Sequence, residues 1–347
     1  MNKITRIVIA LIVIINLISC KDKVNDIQYF SENDFPELVK LKGDRKPTKE
    51  MLNINNFLVQ DSFLIIDNSR DDSVFMVFDL NTFDCIKSWG IRGRGPGEYE
   101  AFTHLIDISP EKFQIADFSR YRIETYSIPE FELKSEQKII IDSEIREIPQ
   151  TIATTDGFQY FYDCFYDHHE LAIAKWKNEE KSIKINRFDQ YNKLYESAII
   201  YSGSFALNKS ENKLVYAHRF MRRFSIMNFE GELIKTVEIT PSASPATIGK
   251  NIDIKKSELC YFDVKATSNS FFLLYVGHLA QVLEENKFLL PCYIEEYDWD
   301  GNPIKRYELD RYISNFEIIY DKQKQSIFFL GIDITDNNPL IIFSEHF

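Results

Sequence analysis

An all-β fold, with six four-stranded antiparallel sheets stacked radially as a β-propeller, is predicted by three features of the sequence. These are its composition, a repeat of about fifty residues, and a last unit one strand short. Aromatic residues make up 14% of the chain, with 28 Phe and 18 Tyr, against only 12 Gly and 11 Pro. Aromatic and β-branched side chains suit pleated, buried surfaces, and no long amphipathic helix is visible. A β-sandwich, or two smaller β domains, would explain the composition but not the spacing.

The elements follow in chain order. Lys3 and Arg6 precede an apolar run from Ile7 to Ile18, broken only by Asn16 and closed by Leu17-Ile18-Ser19-Cys20. This is the layout of a secretory signal. A membrane span needs about 20 apolar residues, and this run stops before Lys21-Asp22-Lys23. The Leu-x-Ser-Cys ending resembles the lipobox of bacterial lipoproteins. That resemblance implies a leader over residues 1–19, acylation of Cys20, and a tether over 20–34 leading into one domain over 35–347. Lipid on Cys20 would anchor the chain to the bacterial outer membrane, with periplasmic and cell-surface sides left open. Each buried methylene contributes about 0.8 kcal/mol, so paired acyl chains hold stably.

The repeat is marked by aromatic-ended strands that run into turns: Phe78, Tyr126, Trp176, Phe229, Tyr297 and Phe343. The intervals are 48, 50, 53, 68 and 46 residues. An insertion at Gly277 to Phe288 explains the long one, and His278 to Leu283 within it suits a short helix. Glu230-Gly231 and Asp300-Gly301 are hairpin signals. Phe271-Phe272-Leu273-Leu274-Tyr275 is apolar on both faces, as expected of a strand buried between neighbouring sheets. Only four residues follow Phe343, too few for an outer strand. A segment over Pro36 to Lys42, with its Leu38-Val39-Lys40-Leu41 core, is expected to supply that strand and close the ring.

Between the first two units lies Ile91-Arg92-Gly93-Arg94-Gly95-Pro96-Gly97-Glu98-Tyr99. It resembles the Gly-x-Gly-Pro-Gly-Glu-aromatic segment of TolB-like six-bladed propeller lipoproteins of gut-type bacteria. The resemblance implies the fold and an envelope location rather than a particular chemistry. Physically, such a loop either exposes N–H groups that cradle an anion or steers the chain from blade to blade.

Charge and motifs narrow the function. The formal net charge is −12, and −14 once Lys3 and Arg6 leave with the leader. That balance argues against nucleic acid as a partner. Cys85, Cys164, Cys260 and Cys292 contain no Cys-x-x-Cys, so neither a zinc site nor a redox motif is indicated. His168-His169-Glu170, near Asp163 and Asp167, is poorly arranged for a shared metal, since adjacent strand residues face opposite ways. Asp71-Asp72 lacks EF-hand spacing. No nucleophile elbow or phosphate loop is present, so neither metal nor cofactor is implied and no catalytic residue stands out.

The remaining signal is basic. Asp67-Asn68-Ser69-Arg70 recurs as Asp117-Phe118-Ser119-Arg120, with a weaker echo at Ala217-His218-Arg219. Each follows a strand expected second in its blade, so its loop opens on the same face as the blade-to-blade connections. Arg70, Arg92, Arg94, Glu98, Arg120 and Arg219 are therefore the expected ligand-binding set. Guanidinium forks suit carboxylate- or sulfate-bearing ligands, although each Arg can instead pair with its own Asp. The first reading is a lipid-anchored module that binds an acidic glycan, a peptide or an envelope protein. The alternatives are a polysaccharide lyase or hydrolase with its site at the channel mouth, and a scaffold of an envelope complex. Acidic, His or Tyr groups converging in the channel would favour an enzyme. Arg and aromatic residues there would favour a binding module.

Overall fold

The structure, a computed structural model, describes residues 27–50, 52–68, 73–100, 103–139, 149, 151–167, 170–177, 183–187, 198–249, 251–321 and 326–344. Cys20 and Arg70, with Asp71, Asp72, His168 and His169, lie outside the described residues. The described chain opens with β1 (Ile27–Ser31) and β2 (Leu38–Arg45). Blade one is β3 (Ile54–Gln60), β4 (Phe63–Asn68), β5 (Phe75–Asp79) and β6 (Cys85–Trp89). Blade two is β7 (Thr103–Ser109), β8 (Lys112–Asp117), β9 (Arg122–Ser127) and β10 (Leu133–Lys138). Blade three is β11 (Ile152–Thr154), β12 (Gln159–Asp167), β13 (Glu170–Lys177) and β14 (Ile183–Arg187). Blade four is β15 (Gly203–Asn208), β16 (Lys213–His218), β17 (Arg223–Asn228) and β18 (Leu233–Thr240).

A two-stranded ribbon, β19 (Thr247–Ile248) and β20 (Asn251–Ile252), leads into blade five. That blade is β21 (Glu258–Ala266), β22 (Ser270–Leu279), β23 (Cys292–Asp298) and β24 (Pro303–Leu309). The expected helix in its long loop is α1 (Ala280–Glu285), two residues later than the pattern suggested, because β22 stays paired with β21 up to Leu279. Blade six contributes only β25 (Phe316–Asp321), β26 (Ser326–Ile332) and β27 (Leu340–Ser344).

The aromatic landmarks all lie in or directly after the third strand of their blades, namely β5, β9, β13, β17, β23 and β27. Second strands are buried on both faces, and successive residues pack into different inter-blade cores. Phe271 and Leu273 pack between blades four and five, whereas Phe272 and Leu274 pack between blades five and six. Ile65 faces blade two and Ile66 faces blade six. The remaining cores join blades two and three, around Tyr160 and Trp176, and blades three and four, around Phe161 and Phe229. Six such cores close the circle, which explains strands with no polar face. Glu230-Gly231 and Asp300-Gly301 are turns as expected, with φ +83° and +81° at the glycines. Among the described residues no disulfide joins Cys85, Cys164, Cys260 and Cys292, and the last three are buried.

Ring closure falls later in the chain than expected. Lys42, Gly43, Asp44 and Arg45 pair antiparallel with Ser344, Phe343, Ile342 and Ile341 of β27. The Leu38-Val39-Lys40-Leu41 core instead runs parallel to β24, as a fifth strand on blade five. A single strand thus joins the last two blades. The stretch read as a tether contains β1, which runs parallel along β18 at the rim of blade four. A short 3-10 turn (Glu32–Asp34) follows β1 and carries a clamp. Glu32 meets Arg222 at 2.7 Å and Arg306 at 3.0 Å. Both arginines also reach Glu295, at 2.7 and 3.3 Å. Tyr261 and Tyr297 donate their hydroxyls to the other Glu295 oxygen at 3.1 and 2.9 Å. Arg222 lies 4.0 Å over the Tyr275 ring, so its desolvated charge faces carboxylates and a π cloud together.

Candidate functional site

In each blade, loops between strands one and two, and between three and four, open on one face of the disc. The other face carries the loops between strands two and three and the blade-to-blade connections. The inner strands β3, β7, β11, β15, β21 and β25 surround a central channel of about 510 Å³.

Two charged features mark the channel wall. The first is a cluster on β7, β21 and β25. Lys265 Nζ donates to Glu317 Oε1 at 2.7 Å and lies 3.8 Å from Asp263 Oδ2. Asp107 lines the same cavity and adds to the field on Lys265 and Glu317. Its Oδ1 accepts from Gln60 Nε2 at 2.6 Å. Asp263 is held by backbone N–H groups of Val264, at 2.9 Å, and Phe316, at 3.1 Å, which join the inner strands of blades five and six. Burial pushes the Glu317 carboxyl up to about 7 against the opposing pull of Lys265, and burial raises Asp263 as well. These strands alternate charged and apolar residues, so that the charges face the channel and the apolar residues face the neighbouring blades.

The second feature is Arg219, just beyond β16 on the connecting face. Its backbone N–H donates to Ser202 O at 2.7 Å, and its guanidinium stands 5.0 Å over the Phe262 ring. Among the described residues no carboxylate pairs with it, and its buried Nε has no acceptor. An unpaired guanidinium lining a cavity is a ready partner for an anion.

The rest of the expected basic set is dispersed. Arg92 is tied to Asp67 at 3.4 Å and to the carbonyl of Asn68 at 3.1 Å. Asp67 is fully buried, and burial raises its carboxyl to about 6 despite that pairing. Arg94 is largely exposed, 3.6 Å from Glu100. Arg120 closes the turn after β8, its N–H 3.2 Å from Asp117 Oδ1. The carboxylate of Asp117 instead faces Arg122, at 3.4 Å. Of the six, Arg219 alone among the described residues lines the channel.

Glu98 turns back onto its own loop and accepts from the Gly95 N–H. A Cβ at Gly93 or Gly95 would come within 2.2 or 2.8 Å of that carboxyl group, so the glycines make room for it. The anion this loop cradles is its own. Its result is the placement of Tyr99, which is buried between blades one and two and donates to Glu124 at 2.5 Å. Arg122 lies 3.0 Å from the other oxygen of Glu124, and Tyr126 donates to the same oxygen as Tyr99 at 2.9 Å. The same Glu-x-Tyr spacing recurs at Glu295 and Tyr297 in the clamp of blade five.

The sequence reading did not single out Asp107, Asp263, Lys265 or Glu317. Their signal was there to find, as charges at alternate positions of strands that open a unit. No group of three metal-ligating side chains occurs among the described residues.

The model of the family described as TolB-like 6-blade propeller-like matches residues 54–321. A solved member of the DUF4221 family from Bacteroides vulgatus superposes with a TM-score of 0.52 at 10% identity, covering 87% of this chain and 97% of that one. A Bacteroides fragilis protein described as exported gives 0.48 at 12% identity, over 88% and 98% of the two chains. The β-propeller domain of Cps50 (Swd1) from Myceliophteria thermophila gives 0.46 at 9% identity, over 88% and 100%. At these identities the likeness is one of fold alone. None of the curated proteins matches the sequence.

Proposed function

The chain belongs to the TolB-like six-bladed propeller family, and on that premise we propose that it is a lipid-anchored envelope module that binds a small ligand in its central channel. The apolar N-terminal run closed by Leu17-Ile18-Ser19-Cys20 supports the anchor. The observation that carries the binding reading is Arg219, which lines the channel with no carboxylate partner among the described residues. A guanidinium beside an aromatic ring, in a cavity of about 510 Å³, suits a carboxylate- or sulfate-bearing group on a molecule of a few hundred daltons. The test is calorimetric titration with glucuronate, galacturonate and their sulfated disaccharides. Binding that Arg219→Ala weakens at least tenfold supports the reading, and binding indifferent to that change overturns it.

A second reading, a polysaccharide-processing enzyme, is favoured by one observation: Glu317, raised to about 7 beside Lys265 in the same cavity. A carboxyl poised near neutrality suits general acid–base work. Turnover of uronate-containing oligosaccharides that Glu317→Gln abolishes would establish it.

A further inference from the structure

The channel is electrically lopsided. Its connecting-face end presents Arg219 without a carboxylate partner among the described residues. The cluster deeper in is short of positive charge. Three carboxylates, Asp107, Asp263 and Glu317, share the ammonium of Lys265. Lys209 also lines the cavity, but its ammonium bonds the carbonyl of Ile108 at 3.3 Å and is exposed. Asp263 spends both oxygens on backbone N–H groups, so the ligand-facing capacity lies with Asp107 and Glu317. Glu317 Oε2 has no partner among the described residues, whereas Oε1 holds Lys265.

The two features are separated along the channel axis. Arg219 follows the outward end of β16, whereas Asp107 is the fifth of seven residues in β7, running toward the hairpin face. Counted along β7 at about 3.3 Å per residue, the Asp107 backbone lies on the order of 10 Å from the connecting face. A chain of three extended residues spans on the order of 10 Å. Phe205, Phe262, Thr154, Ser204 and Asn315 also line the cavity.

We infer that the channel takes a short zwitterionic peptide of about three residues, its terminal carboxylate on Arg219 and its terminal ammonium between Asp107 and Glu317. This rests on the binding reading above and gives it a ligand class. A uronate would engage only the Arg219 end. A peptide engages both, and each end meets the charge it lacks.

The test is a thermal-shift screen of the full chain against a library of tripeptides in three forms: free, N-acetylated and C-amidated. The expected result is a set of free tripeptides that stabilise the protein, confirmed by calorimetry. Acetylation and amidation should each weaken those hits at least tenfold. Glu317→Gln and Asp107→Asn should lower affinity for free peptides while leaving N-acetylated forms unchanged. Arg219→Ala should act on the amidated forms least. Hits that bind equally well when acetylated overturn the zwitterion and leave the carboxylate reading standing. No stabilisation by any free tripeptide at millimolar concentration, with uronates still binding through Arg219, likewise removes the peptide alone. If neither class binds, both readings fall.

Discussion

Removing the Glu295 carboxylate should cost more stability than removing any exposed charge in the molecule. Glu295 is fully buried and holds Arg222, itself only 2% exposed, with Arg306 and two tyrosine hydroxyls. In Glu295→Ala the Arg222 charge keeps one partner, Glu32, whose side chain is 44% exposed and well solvated. Leaving a buried charge with so little compensation costs about 3–5 kcal/mol. Unfolding entropy of about 2.1 cal/mol/K per residue gives roughly 0.7 kcal/mol/K for a domain of about 320 residues. The midpoint should therefore fall by about 4–7 °C by calorimetry. Glu32→Ala, which removes the exposed partner, should cost only about 1 kcal/mol, or 1–2 °C. The double variant should be non-additive, because both carboxylates share the same two arginines. A Glu295→Ala protein within 1 °C of the parent, or no worse than Glu32→Ala, would refute the claim that this network holds blades four and five to the N-terminal segment.

Three further outcomes follow from the same structure. Arg45→Ala should destabilise by about 2–3 kcal/mol in urea, since it strips the 2.5 Å partner from the buried Asp333. Lys40→Ala, exposed and on the blade-five part of the same strand, should stay within about 0.5 kcal/mol; equal losses would mean closure is not concentrated at 42–45. Gly231→Ala should cost at least about 2 kcal/mol, since φ is +83° and the new Cβ would sit 1.7 Å from the Ile185 carbonyl oxygen of blade three. An unchanged midpoint would show that the two blades part easily there. His218 is buried and its imidazole pushed down to about 3 by burial. Below pH of about 6.5 the unfolded chain takes up a proton that the folded one refuses, so stability drains as pH falls toward 3. By pH 5 this amounts to about 2 kcal/mol, at about 1.4 kcal/mol per unit. His218→Gln should remove that slope, and parallel curves for the two proteins would count against it.

The blade count was legible because it depends on local pattern. Phe78, Tyr126, Trp176, Phe229, Tyr297 and Phe343 mark third strands because each stands in or just after a buried strand that runs into a turn. Strand partners were less legible. Leu38 to Leu41 alternates like a strand, but alternation does not say which edge it joins, and it joined blade five. Ile27 to Ser31 pairs in parallel with a strand some 210 residues away, which no local signal encodes. The site was legible in part. Arg219 was found by its echo of Arg70 and Arg120, yet a repeated Asp-x-x-Arg spacing cannot show that Arg92 reaches Asp67 and Arg122 reaches Asp117. Asp107, Asp263, Lys265 and Glu317 meet only because three blades converge on one axis.

The N-terminal segment has a mechanical meaning. Its attachments lie in series: β1 on blade four, then Glu32 between two guanidinium groups, then β2 along blades five and six. A tug on that end must strip a strand and tear a carboxylate from two cations before any force reaches the four residue pairs that shut the ring. The ring is relieved of tension as a cable is when it is clamped short of its plug, and the propeller can be held by that end without being pulled open.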